Sequence, residues 1–223
     1  MPYKLSASTL NVFRECPRCF WLQFHGVKRP QGIFPSLPGG MDRILKIHFD
    51  RFMEKGKLPP ELMHSECVHG CKLFDDAEKL KIWRNNFKGI QWTDREGNIL
   101  MGAVDNLLQK GDKLIVLDFK TRGAGVKEDT AAHYQDQLNI YNFLLRSNGH
   151  KTEDYAYLLF YHPTLVNDDG SVVFGTELVK MNVDVEEAEK LFRNALKVLE
   201  GEMPEASKEC GFCEWVENVH LKK

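Results

Sequence analysis

The chain has 223 residues, 43% hydrophobic and 28% charged, with a formal net charge of −2. That is an ordinary globular composition, sufficient for one domain with a sizeable core. The near-neutral balance argues against a protein held to nucleic acid by a broad basic surface, and no apolar run is long enough to span a bilayer.

In chain order, Leu5 to Glu15 reads as a first helix, with Ser6 as N-cap and Leu10 and Phe13 inward. Pro17 interrupts it and opens a second helix through Phe20, Trp21 and Leu22. Residues 26–40 hold three prolines and four glycines and read as a loop. Met41, Ile44, Leu45, His48, Phe49 and Phe52 then recur at helical spacing, ending near Gly56. About 54–87 reads as a partly helical insertion. Strands are expected around Gly89–Thr93, Ile99–Leu108 and Lys113–Lys120, with turns at Gly97-Asn98 and Gly111-Asp112. A helix is expected from about Thr130 to Arg146. Two strands follow, Tyr155–Tyr161 and Val172–Met181, and then a helix opened by Asp184 and Glu187 that runs to about Leu199.

The third strand carries the most telling residues. Asp118 and Lys120 share one face of it, and Leu117 and Phe119 the other. A turn centred on Gly111-Asp112 sets Asp105 directly opposite Asp118, with Cβ atoms roughly 5 Å apart. Facing carboxylates repel unless a cation stands between them. A divalent ion resolves the conflict, and a lysine beside a metal-bound phosphate or water is a catalytic arrangement. Lys120, Arg122 and Lys127 form a local basic group suited to phosphates, or an ordinary solvated loop.

The start of the chain, Met1-Pro2-Tyr3-Lys4, shows no apolar signal region, so a cytoplasmic location is expected. Six cysteines there point to metal or thiol chemistry before disulfides. Cys16-x-x-Cys19 and Cys210-x-x-Cys213 supply four thiolates, a ligand count that would fasten the C-terminal tail to the first helices. His64, Cys67, His69 and Cys71 lie close together without the spacing of a metal knuckle. Trp21, Trp83, Trp92 and Trp215 read mainly as core aromatics, with base stacking as the alternative.

Taken in order, Asp105, Asp118-x-Lys120 and Gln137-x-x-x-Tyr141 resemble the PD-(D/E)XK nuclease superfamily. Within it they are similar to the RecB-like branch, which includes the CRISPR-associated iron–sulfur adaptation nucleases. The resemblance runs from Ser6 to Cys213. It implies a single α/β domain over 1–223 with a restriction-endonuclease-like α-β-β-β-α-β core. A central mixed sheet flanked by helices is expected, with N- and C-terminal segments joined at the cysteines and a tail over about 201–223. It also implies Mg²⁺- or Mn²⁺-dependent hydrolysis of DNA, weighted toward an exonuclease acting on single strands or ends. The setting would be DNA repair, recombination or CRISPR adaptation, with the protein partners of such a complex and no membrane.

The metal ligands implied are His48, Asp105, Asp118 and the backbone carbonyl of Phe119. Lys120 assists at the water or the scissile phosphate, and Gln137 and Tyr141 flank the site. At the cysteines the related nucleases hold a 4Fe-4S cluster with one N-terminal and three C-terminal thiolates. Cys16, Cys210 and Cys213 match that pattern, whereas Cys19 departs from it and no further cysteine follows Cys213. A 4Fe-4S cluster is the first reading there, and structural Zn²⁺ the second. Two other functions stay open: a non-catalytic nucleic-acid-binding scaffold of the same fold, and a zinc-binding interaction protein.

Overall fold

The computed structural model describes residues 2–30, 32, 36–63, 65–127 and 129–220. The expected mixed α/β architecture is present, with its strands divided between two mixed sheets. In the first, β1 (Lys4–Ser6) runs parallel to β4 (Ile99–Gly102), which pairs antiparallel with β3 (Ile90–Thr93). The second has the order β2 (Lys72–Leu73), β5 (Asn106–Lys110), β6 (Lys113–Thr121), β7 (Tyr155–Val166) and β8 (Val172–Asn182). There β6 and β7 are parallel, and the other neighbours are antiparallel.

The helices are α1 (Ala7–Glu15), α2 (Pro17–Phe24), α3 (Ser36–Glu54), α4 (Pro60–Met63), α5 (Ala77–Trp83), α6 (Gln135–Ser147), α7 (Val185–Glu200) and α8 (Gly211–His220). Ser6 caps α1 through a reciprocal pair of bonds with Thr9, and Asp184 caps α7 by accepting from the amides of Glu186 and Glu187.

Strand β6 explains how the core is divided. Its residues alternate in direction, as strand geometry requires. Leu114 and Val116 join the layer under α6 and α7, with Leu138, Leu158 and Phe192. Ile115, Leu117 and Phe119 face α3 and pack with Leu45, Phe49 and Leu159. Asp118 and Lys120 therefore point toward α6. Gly111 adopts φ 59° in the β5–β6 turn, a conformation that favours glycine. The ladder pairs Asn106 with Leu117 and Lys110 with Lys113. This is the register expected from the sequence.

The strand expected over Ile99–Leu108 is broken in two. The Val104 amide donates to the Trp83 carbonyl at 3.2 Å, and Arg84 Nε donates to the Asp105 carbonyl at 2.7 Å. Those bonds take the backbone at 104–105 out of the ladder, and the chain passes there from one sheet to the other. Helix α3 begins at Ser36, so the expected loop over 26–40 is shorter than its glycines and prolines suggested. Pro38 falls in the first turn, where a missing N–H costs nothing. The helix expected from Thr130 opens as a 3₁₀ turn, Ala131–Tyr134, and becomes α-helical at Gln135.

Candidate active site and cysteine clasp

Asp118 is 1% exposed on β6. Burial pushes its carboxyl up to about 7; nearby Lys120 opposes the shift, and the Asp105 charge adds to it. Lys120 Nζ lies 2.5 Å from Asp118 Oδ2 and donates to Gln137 Oε1 at 2.9 Å. It also sits 4.3 Å above the Tyr134 ring. Burial would lower the lysine's pKa, but the Asp118 carboxylate outweighs it and the net shift is upward. With the carboxylate beside it, Lys120 is favoured as the ammonium in the metal-free site.

Gln137 Nε2 donates to the Tyr141 hydroxyl at 2.7 Å and reaches Asp118 Oδ1 at 3.4 Å. One helical turn separates Gln137 from Tyr141, which puts both on the face of α6 that meets β6. Burial and the Asp118 charge hold the Tyr141 phenol well above its usual range, so it stays neutral. Its ring packs on Gly102, where an added Cβ would approach Cε1 to 2.7 Å. Asp118, Lys120, Gln137 and Tyr141 thus form one connected polar network.

Asp105 joins that network from the sheet-crossing segment. Its Oδ2 accepts from the Phe119 amide at 2.9 Å, and its Oδ1 pairs with Lys46 Nζ at 2.9 Å. Lys46 also meets Asp42 at 2.8 Å. Burial raises the Asp42 carboxyl, Lys46 opposes this, and the neighbouring Asp105 charge adds to it. The result is a row of three carboxylates, Asp42, Asp105 and Asp118, on three different elements. Arg84 braces it, donating to the Asp105 carbonyl and gripping both oxygens of Asp50 on α3 at 2.8 and 2.9 Å.

The structure does not bring His48 to this row. Its Nε2 lies 3.1 Å from Glu61 Oε1, and its ring sits against Phe52. The helix is rotated from the expected stripe: Ile44 is 53% exposed, whereas Leu45 and Phe49 are buried. Residues two apart on a helix diverge by roughly 200°, so a helix that turns Lys46 toward Asp105 turns His48 away. Asp42, one turn before Lys46, faces the row instead. Sequence reasoning missed it because it followed the apolar positions, although the Asp42–Lys46 spacing of four was visible. Of Phe119, the structure ties the amide to Asp105 and buries the side chain against Phe49, with ring centroids 4.6 Å apart.

The donor set fits a hard divalent cation. Asp118 Oδ2 is buried, with the Lys120 ammonium beside it, and the Asp105 charge lies close enough to raise the Asp118 carboxyl further. Three crowded carboxylates, two of them raised in pKa, offer oxygen ligands of the kind Mg²⁺ and Mn²⁺ prefer.

The family model of the PD-(D/E)XK nuclease superfamily matches residues 72–217. The chain belongs to the PD-(D/E)XK nuclease superfamily. A comparison with curated proteins finds no match. The matched span holds Asp105, Asp118, Lys120, Gln137 and Tyr141, and it also reaches the second cysteine pair. Asp42 lies outside it.

In this nuclease-superfamily chain the two Cys-x-x-Cys pairs meet. Cys16, Cys19, Cys210 and Cys213 are all buried, and their sulfurs lie within 4.8 Å of one another. Among the described residues they are the sole group of three or more potential ligands this compact. Burial raises the Cys16 thiol, but hydrogen bonds from the Cys19 and Ser207 backbone and from neighbouring thiols bring it down to about 6. Arg18 donates to the Pro204 carbonyl and Trp21 to the Gly201 carbonyl, sewing the tail onto α2. Four clustered thiols suit a metal by count and by softness. Cys67 is exposed and Cys71 half-buried, and neither joins a ligand group among the described residues. His64 lies outside the described residues. Trp83 and Trp92 are packed in the core, whereas Trp215 is 66% exposed. Among the described residues no helix is long and apolar enough to cross a membrane.

Proposed function

We propose that this chain is a metal-dependent deoxyribonuclease that hydrolyses phosphodiester bonds of unpaired strands or strand ends, with exonucleolytic trimming preferred. Such trimming would serve DNA repair, recombination or CRISPR adaptation. The observation that carries the reading is the connected network from Asp118 through Lys120 and Gln137 to Tyr141, with Asp105 and Asp42 beside it. A scaffold that only bound DNA would not require buried carboxylates crowded against a buried lysine, since each costs solvation.

Asp42, Asp105 and Asp118 would hold Mg²⁺ or Mn²⁺. When bound, that ion neutralises phosphate charge and acidifies a water. Lys120, fixed between Asp118 and Gln137, presents a positive charge where the pentavalent phosphorus gathers negative charge. Gln137 sets the position of that ammonium, since its other end is tied to Tyr141. Tyr141, a neutral phenol, orients Gln137 and takes no proton.

At the clasp the sulfur spacing supports a single tetrahedral ion over an iron–sulfur cube. Three sulfur pairs lie 3.5, 3.6 and 3.9 Å apart. Four thiolates about 2.3 Å from one zinc would sit about 3.8 Å apart. Thiolates on four separate irons stand farther from one another. Metal analysis with a visible spectrum tests this: zinc and no visible band is the expected result, and iron with a brown chromophore overturns it.

The nuclease reading is tested with end-labelled single- and double-stranded DNA in Mg²⁺ or Mn²⁺, comparing wild type with Lys120→Met. Loss of one transition-state charge partner is expected to lower the rate by about 10²–10³-fold. Equal cleavage by both proteins, or none by folded wild type, would overturn it.

A further inference from the structure

A cavity of about 640 Å³ opens beside the network, between α1, α6 and the end of β4. Its walls include Asn11, Asn86, His133, Tyr134, Gln137 and Tyr141, and its floor is the backbone of Met101–Ala103. The volume falls in the range of small-ligand sites, about 300–1,000 Å³. Gln137 and Tyr141 belong to both the catalytic network and the wall, so the two spaces adjoin.

We propose that this cavity receives the unpaired base of the nucleotide next to the scissile phosphate. The proposal rests on the nuclease reading for the position of that phosphate. The chemistry of the wall selects a base over a phosphate. Neither lysine nor arginine lines it, and its one carboxylate, Asp136, is paired with Arg14 at 2.8 Å. A phosphate there would find no cation and would meet an acid.

Asn86 instead offers an amide donor–acceptor pair, and Asn11, whose Nδ2 donates to Glu15, offers a carbonyl oxygen; both suit base edges. The rings of His133 and Tyr134 offer faces on which a base can stack. Tyr134 also fixes the spacing. Lys120 Nζ lies 4.3 Å from the centre of its ring, and the same ring lines the cavity. A phosphate at the ammonium therefore leaves its neighbouring base within reach of the cavity. A paired base cannot enter, because its hydrogen-bonding edge is already taken by its partner strand. The cavity therefore selects single strands.

The test is an abasic scan. Fluorescently labelled single strands, each with one base removed at a different position, are titrated by anisotropy in Ca²⁺. The proteins are wild type and the double variant Asn86→Ala, His133→Ala; both residues are exposed. One position is expected to cost wild type about tenfold in affinity, in line with a single stacked base, and the double variant is expected to flatten that dip. A flat wild-type scan, or a dip that the double variant keeps, overturns the proposal. The two readings fail separately. Binding with the dip but no cleavage in Mg²⁺ or Mn²⁺ removes the hydrolysis and keeps the pocket. Cleavage with a flat scan removes the pocket and keeps the hydrolysis.

Discussion

The carboxylate row and the cysteine clasp are both candidate metal sites, built in opposite ways. The clasp takes two short pairs of cysteines from distant parts of the chain and buries all four. The row takes one carboxylate each from α3, the sheet crossing and β6, and grades their exposure. The Asp118 side chain is 2% exposed, Asp105 16% and Asp42 42%. A site closed on all sides by soft ligands holds structure, whereas a hard site with an open flank admits substrate. The clasp should therefore govern stability and the row should govern chemistry.

The largest expected effect is on the clasp. A metal held there would act as a cross-link between distant segments, a constraint worth about 3–5 kcal/mol for loops of this order. Cys213→Ser, or chelation, should lower the melting temperature by roughly 10 °C in calorimetry. Cleavage per folded molecule at low temperature should be unchanged, and a proportional loss there would break the contrast.

Next comes Asp42, the third of the proposed metal ligands. Asp42→Asn should weaken Mn²⁺ binding, read by electron paramagnetic resonance, by about 10–100-fold. His48→Ala should change it by less than about twofold, since His48 is held by Glu61. The reverse order would restore the histidine to the site.

The last effect is a slope. The Asp118 carboxyl is raised from 3.8 to about 7 in the folded protein. The folded state therefore holds a proton that the unfolded state releases in this window. The contribution is present in full below about pH 4 and is lost as pH rises through about 7. Metal-free protein should melt progressively lower across that interval, and Asp118→Asn should remove this part of the slope.

What was legible in the sequence follows the range of the interactions. The β5–β6 hairpin was readable because a local turn at Gly111-Asp112 sets its register. The cysteine pairs were readable because their spacing is itself a ligand pattern. The break between β4 and β5 was not, since it depends on a backbone bond to Trp83 and a bond from the Arg84 side chain. An apolar run looks continuous whether or not such bonds interrupt it. The rotation of α3 was not readable for a similar reason. Periodicity identifies a helix but fixes its rotation only loosely, and Ile44, counted in the apolar stripe, is 53% exposed. Helix α8 went unread because Phe212, Trp215 and Val216 stay largely exposed, leaving little of a buried stripe to detect.

Arg84 reaches neither the row's carboxylates nor the cavity, yet it joins two of the parts that form the row. One side of its guanidinium group holds the crossing strand and the other holds α3. The separation of α3 from the crossing segment is therefore held by a strut, much as the jaw of a caliper is set by its frame. At the proposed metal site, ion selectivity would be a matter of span as well as of ligand type, and the residue that sets the span lies outside every motif read from the sequence.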